Sequence, residues 1–503
     1  MQTSPAKKRT NVKSAAHKTK RLLPKALCLS LACIFAAPAP ADDLNLPDIG
    51  TAAAGTLSIA QERQYGEAYI RILRSKLPML GDPVMNSYIN QLGHKLSANA
   101  RDVRTPFNFF LVRDAQINAF AFFGGHVVAN TGLFLYAANE SELASVLAHE
   151  IAHVTQRHLA RRMESEARRS PLTIAAMIGS VLLAIASPEA GIAALNASTA
   201  GSIQAGINYT RSNEEEADRF GIETLARSGF NPKAMPNFFG HLADQYRYAS
   251  TPPPLLLTHP LPQSRVTDSR ERAQNYPSVS PPQSLDFWLA KARVIARYSN
   301  YQSISANAKF DRIAKTGTSI EKKASTYGKV LVAIDDRKWS QANSLLQGLL
   351  KTDASNPFYL DALADLYIGQ KRYNQAISAL KKGLTANPNN PAIIINLANV
   401  YIESGQPKSA ISMLQRYTHQ NPDDPTAWQL LATANRKSGN KMEQLASQGE
   451  VFALYANWNK AIDAYSEASS MAKYGSLEQA RYDARIDQLR YQREMFASLD
   501  GLN

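Results

Sequence analysis

The sequence predicts an α+β domain followed by an all-α solenoid of paired helices. Three observations carry this. Up to residue 134 the apolar pattern changes from helical spacing to short aromatic and β-branched runs. From Asn139 it returns to a helix bearing His149-Glu150-Ile151-Ala152-His153. Beyond Lys323 one pattern recurs every 34 residues, at Pro357, Pro391 and Pro425, at Leu363, Leu397 and Leu431, and at Ala364, Ala398 and Ala432. That is the period of tetratricopeptide arrays.

The 503 residues are enough for two cores. Eight of the excess basic charges lie in the first 25 residues, with no acid before Asp42. Without them 48 basic residues face 42 acidic ones, and no basic helix carries interleaved aromatics, so nucleic acid is not an expected partner. The basic start, the apolar stretch Ala26 to Ala37 and Ala39-Pro40-Ala41 predict a signal peptide over 1–41 and export. Cys28 and Cys33 are the chain's two cysteines and both fall inside that segment. The mature chain then has no thiol, and any metal must be held by histidine and carboxylate.

Ile59 to Lys76 and Pro83 to Asn99 have helical spacing. Phe107 to Val112 and Asn118 to Phe123 read as strands. Gly124-Gly125 turns the chain, and His126 to Asn130 with Gly132-Leu133-Phe134 continues as strand. Asn139 caps the next helix, with Glu142 as the partner of a capping box. On that helix His149 and His153 are one turn apart on one face, so both imidazoles reach one cation. Glu150 projects beside it, where it can take a proton from the attacking water. Leu172 to Ala186 is a 15-residue uncharged run, shorter than the ~20 residues of a membrane span. It reads as a packed helix or as a lid in peripheral contact with a membrane.

Asn213 to Ala226 predicts another helix, with Glu214 and Asp218 on one face. Glu214 is the third ligand of a His2Glu zinc site. Asp218 is placed to accept the free N–H of a ligating histidine. The competing reading is an acidic helix start, with Glu214, Glu215 and Glu216 favouring the dipole. Prolines on both sides hold His259 in a stiff loop, and Arg265 follows. Arg265 is a candidate either to stabilise developing negative charge or to hold the acidic residues. Asp286 to Asn300 reads as the last helix of this half, followed by a polar link to about Lys323. The repeat interval predicts a separately cooperative stack that binds protein segments, closed by a helix over Ser476 to Phe496. The division is 42–310 and 311–503.

His149-Glu150-x-x-His153, Asn213-Glu214-x-x-Ala217-Asp218, and His259-Pro260 with Arg265 resemble the HtpX and CAAX-prenyl-protease group of gluzincin metallopeptidases. Asn118-Ala119-Phe120-Ala121 before Gly124-Gly125 resembles that group's substrate-binding strand, with Phe123 where the group has proline. Joined to the repeats, and with the closing stretch Gly475 to Leu489, nearly all of the mature chain is similar to periplasmic proteases of outer-membrane assembly. The resemblance implies an α+β zincin domain that cleaves peptide bonds. It implies one Zn2+ on His149, His153 and Glu214, with Glu150 as base and His259 able to approach the metal. It also implies a chaperone-like role toward outer-membrane β-barrel precursors and contact with the barrel-assembly machinery.

Overall fold

A capping box starts the first helix, α1 (Ile59–Lys76). Ser58 Oγ accepts the Gln61 N–H, and Gln61 Oε1 accepts the Ser58 N–H. In α2 (Pro83–Ser97) the Asp82 carboxylate caps the Val84 and Met85 N–H groups ahead of a first-turn proline. The computed structural model describes residues 57–167, 200–246, 252–277, 279–299 and 301–499. The predicted signal peptide and the apolar run 172–186 lie outside the described residues. No described helix is long and apolar enough to cross a membrane.

The strands are β1 (Asn108–Val112), β2 (Ala119–Phe122) and β3 (His126–Asn130), in the order β1-β3-β2. The β1 pairing to β3 is parallel and that of β2 is antiparallel, which leaves β2 at an edge. The expected continuation of strand through Gly132 is corrected. Thr131 turns into the helical region (φ −58°, ψ −24°), and Gly132-Leu133-Phe134 belongs to a short helix, α3 (Gly132–Tyr136). The Gly132 N–H bonds to Asp114 O at 2.7 Å. A Cβ there would lie 2.3 Å from Ala115 O, so only glycine permits the approach that takes the chain out of the sheet.

The motif helix is α4 (Glu140–Thr155), with every residue from Ser141 to Ala152 buried. Its expected capping box is half formed. Asn139 Oδ1 accepts the Glu142 N–H, whereas Glu142 Oε2 reaches Ala138 N at 2.7 Å rather than the cap. Next come α5 (His158–Ala167), α6 (Ala200–Arg227), α7 (Ala234–Tyr246), α8 (Pro254–Thr258), α9 (Gln263–Gln274) and α10 (Leu285–Arg293). A π-turn over Val294–Tyr298 extends the last of these.

The polar link expected before Lys323 is instead helical, as α11 (Ser303–Thr316) and the start of α12 (Ser319–Asp335). Ala306 and Phe310, one turn apart, are its buried face, too sparse a signal to mark a helix in the sequence. Then follow α13 (Trp339–Leu350), α14 (Pro357–Gly369), α15 (Tyr373–Ala386), α16 (Pro391–Glu403), α17 (Pro407–Gln420), α18 (Pro425–Lys437), α19 (Lys441–Leu454), α20 (Trp458–Met471) and the closing α21 (Leu477–Leu499). The periodic prolines open α14, α16 and α18, and each follows a side-chain cap, Asn356, Asn390 and Asp424.

The solenoid packs directly on the first domain. Val84, Met85 and Ile89 of α2 share one apolar core with Phe358, Ile393 and Ile395 of the solenoid. Within the seam, buried Arg293 binds Asp82, Tyr327 OH and Asp361, and Asn396 holds the other Asp361 oxygen at 2.9 Å. On the other side, Arg71 reaches Ala453 O at 3.0 Å and Arg74 reaches Asp423 O at 2.9 Å. Arg293→Ala leaves two buried carboxylates without their counter-charge, so a loss of about 3–5 kcal/mol is expected in denaturant unfolding of the full chain.

Candidate metal centre

The packing of α6 across α4 builds the centre. The helices come close because Gly221 faces His149, where a Cβ would sit 3.2 Å from the His149 backbone nitrogen and 2.8 Å from Met235 Cε. This approach lays Glu214 and Asp218 against the motif. Because α6 begins at Ala200, Glu214 to Glu216 lie mid-helix. The reading of these acids as a helix start is thereby removed.

His149, His153, Glu214 and His259 converge, with one donor atom from each within 4.8 Å of all the others. His149 Nε2 lies 3.0 Å from His153 Nε2 and 3.4 Å from His259 Nδ1. The Glu214 carboxylate is 3.3 Å from His149 Nε2, 3.4 Å from His153 Nε2 and 3.0 Å from His259 Nδ1. Glu150 is 1 % exposed. Its Oε1 has no hydrogen-bond partner among the described residues, and His259 Nε2 lies 3.5 Å from it. A desolvated, unpartnered carboxylate oxygen beside a donor cluster is placed to accept a proton.

Asp218 Oδ1 is 2.9 Å from His149 Nδ1, close enough for an ion pair but outside hydrogen-bond geometry, so that nitrogen has no hydrogen-bond partner among the described residues. Arg265 takes Asp218 in a fork, Nε to Oδ2 at 2.7 Å and Nη2 to Oδ1 at 2.8 Å. Its Nη1 donates to Glu214 Oε2 and to Pro260 O, each at 2.8 Å. Of the two roles expected for Arg265, this geometry matches holding the acidic residues.

Burial depresses His153 to about 3, with Glu214 opposing it. Burial pulls His149 the same way, but Asp218 and Glu214 outweigh it and lift that ring to about 10. Glu214 and Asp218 stay below the usual carboxylate range. Burial pushes each up, and the histidines, with Arg265 beside Asp218, outweigh it. The centre thus keeps two buried carboxylates ionised among imidazoles and the Arg265 guanidinium.

His259 ends the short helix α8, braced by Pro253 before it and Pro262 after it. Leu255 in the same helix donates to Ile117 O at 3.2 Å, just ahead of β2. Asn118 leads into the strand. Its carbonyl accepts the Asn130 N–H, and its Oδ1 is buried without a partner among the described residues. Ala119, Phe120 and Ala121 follow on the edge strand, which packs on α4.

The sequence reading missed His158, Glu216 and Arg161. His158 Nδ1 is 2.9 Å from His153 Nδ1 and its Nε2 is 3.1 Å from Glu216 Oε2, which Arg161 Nη2 holds at 2.6 Å. A residue five past His153 leaves its face in an unbroken helix. The left-handed turn at Arg157 (φ 54°) folds it back. Only the histidine itself, close after the motif, could have signalled this.

Residues 83–273 match peptidase family M48, and residues 367–434 match the tetratricopeptide repeat. A protein of Vibrio cholerae serotype O1 is 57 % identical over 476 residues, covering 94 % of this chain and 98 % of that one. The β-barrel assembly-enhancing protease of Escherichia coli K12 is 48 % identical over 461 residues, 92 % of this chain and 94 % of that one. Metalloprotease LoiP of the same strain is 23 % identical over 223 residues, 43 % of this chain and 82 % of LoiP. With near-complete coverage on both sides and the centre built by the matched residues, the chain belongs to peptidase family M48 and is a metalloprotease.

Proposed function

We propose that the chain is a periplasmic zinc endopeptidase with a chaperone-like role, degrading outer-membrane β-barrel proteins whose assembly has stalled. One observation carries the zinc reading. Four donors on tetrahedral zinc would lie about 3.3 Å apart; five of the six donor pairs approach to 3.0–3.4 Å when either Glu214 oxygen is counted, and the whole set lies within 4.8 Å. Three imidazoles and a carboxylate suit zinc chemically. Bound zinc supplies a Lewis acid that acidifies water and polarises a carbonyl.

His149, His153 and Glu214 hold the ion. Glu150 accepts the proton of the attacking water and returns it to the leaving amine. Asp218 orients His149, and Arg265 locks Asp218 and Glu214 in their ionised state. An extended client pairs along Asn118 to Ala121 at the open edge of β2, the mode that suits unassembled strands. The division at about residue 310 assigns cleavage to the first part. The solenoid takes clients and the barrel-assembly machinery, consistent with the relatives' name.

His259 is a reversible fourth ligand. Its Nδ1 faces the donor set while its Nε2 faces Glu150. The ring therefore stands between the donor set and Glu150, where the attacking water would sit. Because α8 also bonds Ile117, withdrawing His259 frees the start of the edge strand.

The test of the ligand set is Glu214→Gln. Zinc content by elemental analysis and cleavage of an unfolded substrate should fall together. Full zinc occupancy in the folded variant would refute the set. Neither neighbour can stand in, since Glu215 is exposed and Glu216 is held by His158 and Arg161.

A further inference from the structure

We infer that His158 is a positioning residue that selects the metal-binding tautomer of His153. The inference rests on the proposed role of His153 as a ligand. The two motif histidines are backed differently. His149 Nδ1 meets a carboxylate directly, at Asp218. His153 Nδ1 meets another imidazole, His158, at 2.9 Å between the two Nδ1 atoms, with the rings edge to face.

Such a pair has one proton between two nitrogens, and its place decides which atom of His153 is free. To bind through Nε2, His153 must carry its proton on Nδ1 and donate it to the His158 Nδ1 lone pair. The His158 proton then sits on Nε2, where it meets Glu216 Oε2 at 3.1 Å. The opposite arrangement would turn a lone pair of His158 toward the carboxylate and put the His153 proton on the donor face. Glu216 therefore sets the direction of the whole line. Arg161 holds Glu216 at 2.6 Å and also donates to Asn213 Oδ1 at 3.1 Å, next to Glu214. Helix α6 thus supplies one ligand and the anchor that orients another.

The line is built in. His158 is 4 % exposed. The Arg157 turn that places it is pinned by Glu62, through Nε at 3.0 Å and Nη2 at 2.9 Å. A histidine whose second nitrogen ends on a carboxylate binds its metal more tightly, and loss of such a partner weakens metal affinity by about 10–100-fold.

The test is zinc affinity of the full chain, measured by competition with a chromogenic chelator. His158→Phe keeps a ring but removes both nitrogens, and should weaken zinc by about 10–100-fold. His158→Asn restores an acceptor near the Nδ1 position and should recover part of that loss, which a purely packing role would not allow. Should His158→Phe fail to fold, Glu216→Ala leaves the ring in place and should weaken zinc in the same direction. Unchanged affinity in folded His158→Phe or in Glu216→Ala, or equal losses for Phe and Asn, would overturn the role of His158. Failure of the unsubstituted chain to bind zinc would instead sink the metal site itself.

Discussion

Glu150→Gln removes cleavage of unfolded protein by about 10²–10⁴-fold, the usual contribution of a positioned base, while zinc content and client binding stay as they are. The substitution keeps shape and volume and replaces the proton-accepting carboxylate with a neutral amide that cannot act as a base. It acts on an oxygen that is buried and without a hydrogen-bond partner among the described residues, so no structural bond is lost. Glu150 is not one of the converging donors, so the ion is retained. The same variant separates a protease from a scaffold with a structural ion. Retained cleavage would show that Glu150 is not the base.

His259→Ala raises basal cleavage. If the open form is a minor state of roughly 0.1–10 %, removing the closing ligand raises the rate by about ten-fold or more. The ring spans from Glu214, at 3.0 Å, to Glu150, at 3.5 Å, so it excludes water from the reacting position. Its prolines limit the entropy lost in holding it there. The opposite outcome is equally readable. If His259 instead donates to the transition state, the rate falls by about 10²–10³-fold with zinc still bound, and the switch is wrong.

The centre was legible in the sequence because helical spacing is rigid. His149 and His153 at i, i+4 and Glu214 and Asp218 at i, i+4 place their side chains with little help from tertiary structure. The 34-residue interval was legible for the same reason, since each repeat restates its own caps and crossings. What escaped depends on the backbone leaving a regular path. The left-handed turn at Arg157 brings His158 onto His153, and Thr131 turns Gly132 out of the sheet. The seam escaped for another reason. Arg293, Asp82 and Asp361 are far apart in sequence, and each looks like an ordinary surface charge until both halves are packed.

Crystals of the full chain, with diffraction recorded on both sides of the zinc absorption edge, test the ligand set most directly. One zinc-specific anomalous peak is expected, about 2.0–2.2 Å from His149 Nε2, His153 Nε2 and a Glu214 oxygen, with His259 as the fourth neighbour. A zinc-replete protein with no peak there, or with its peak at His158 and Glu216, would contradict it.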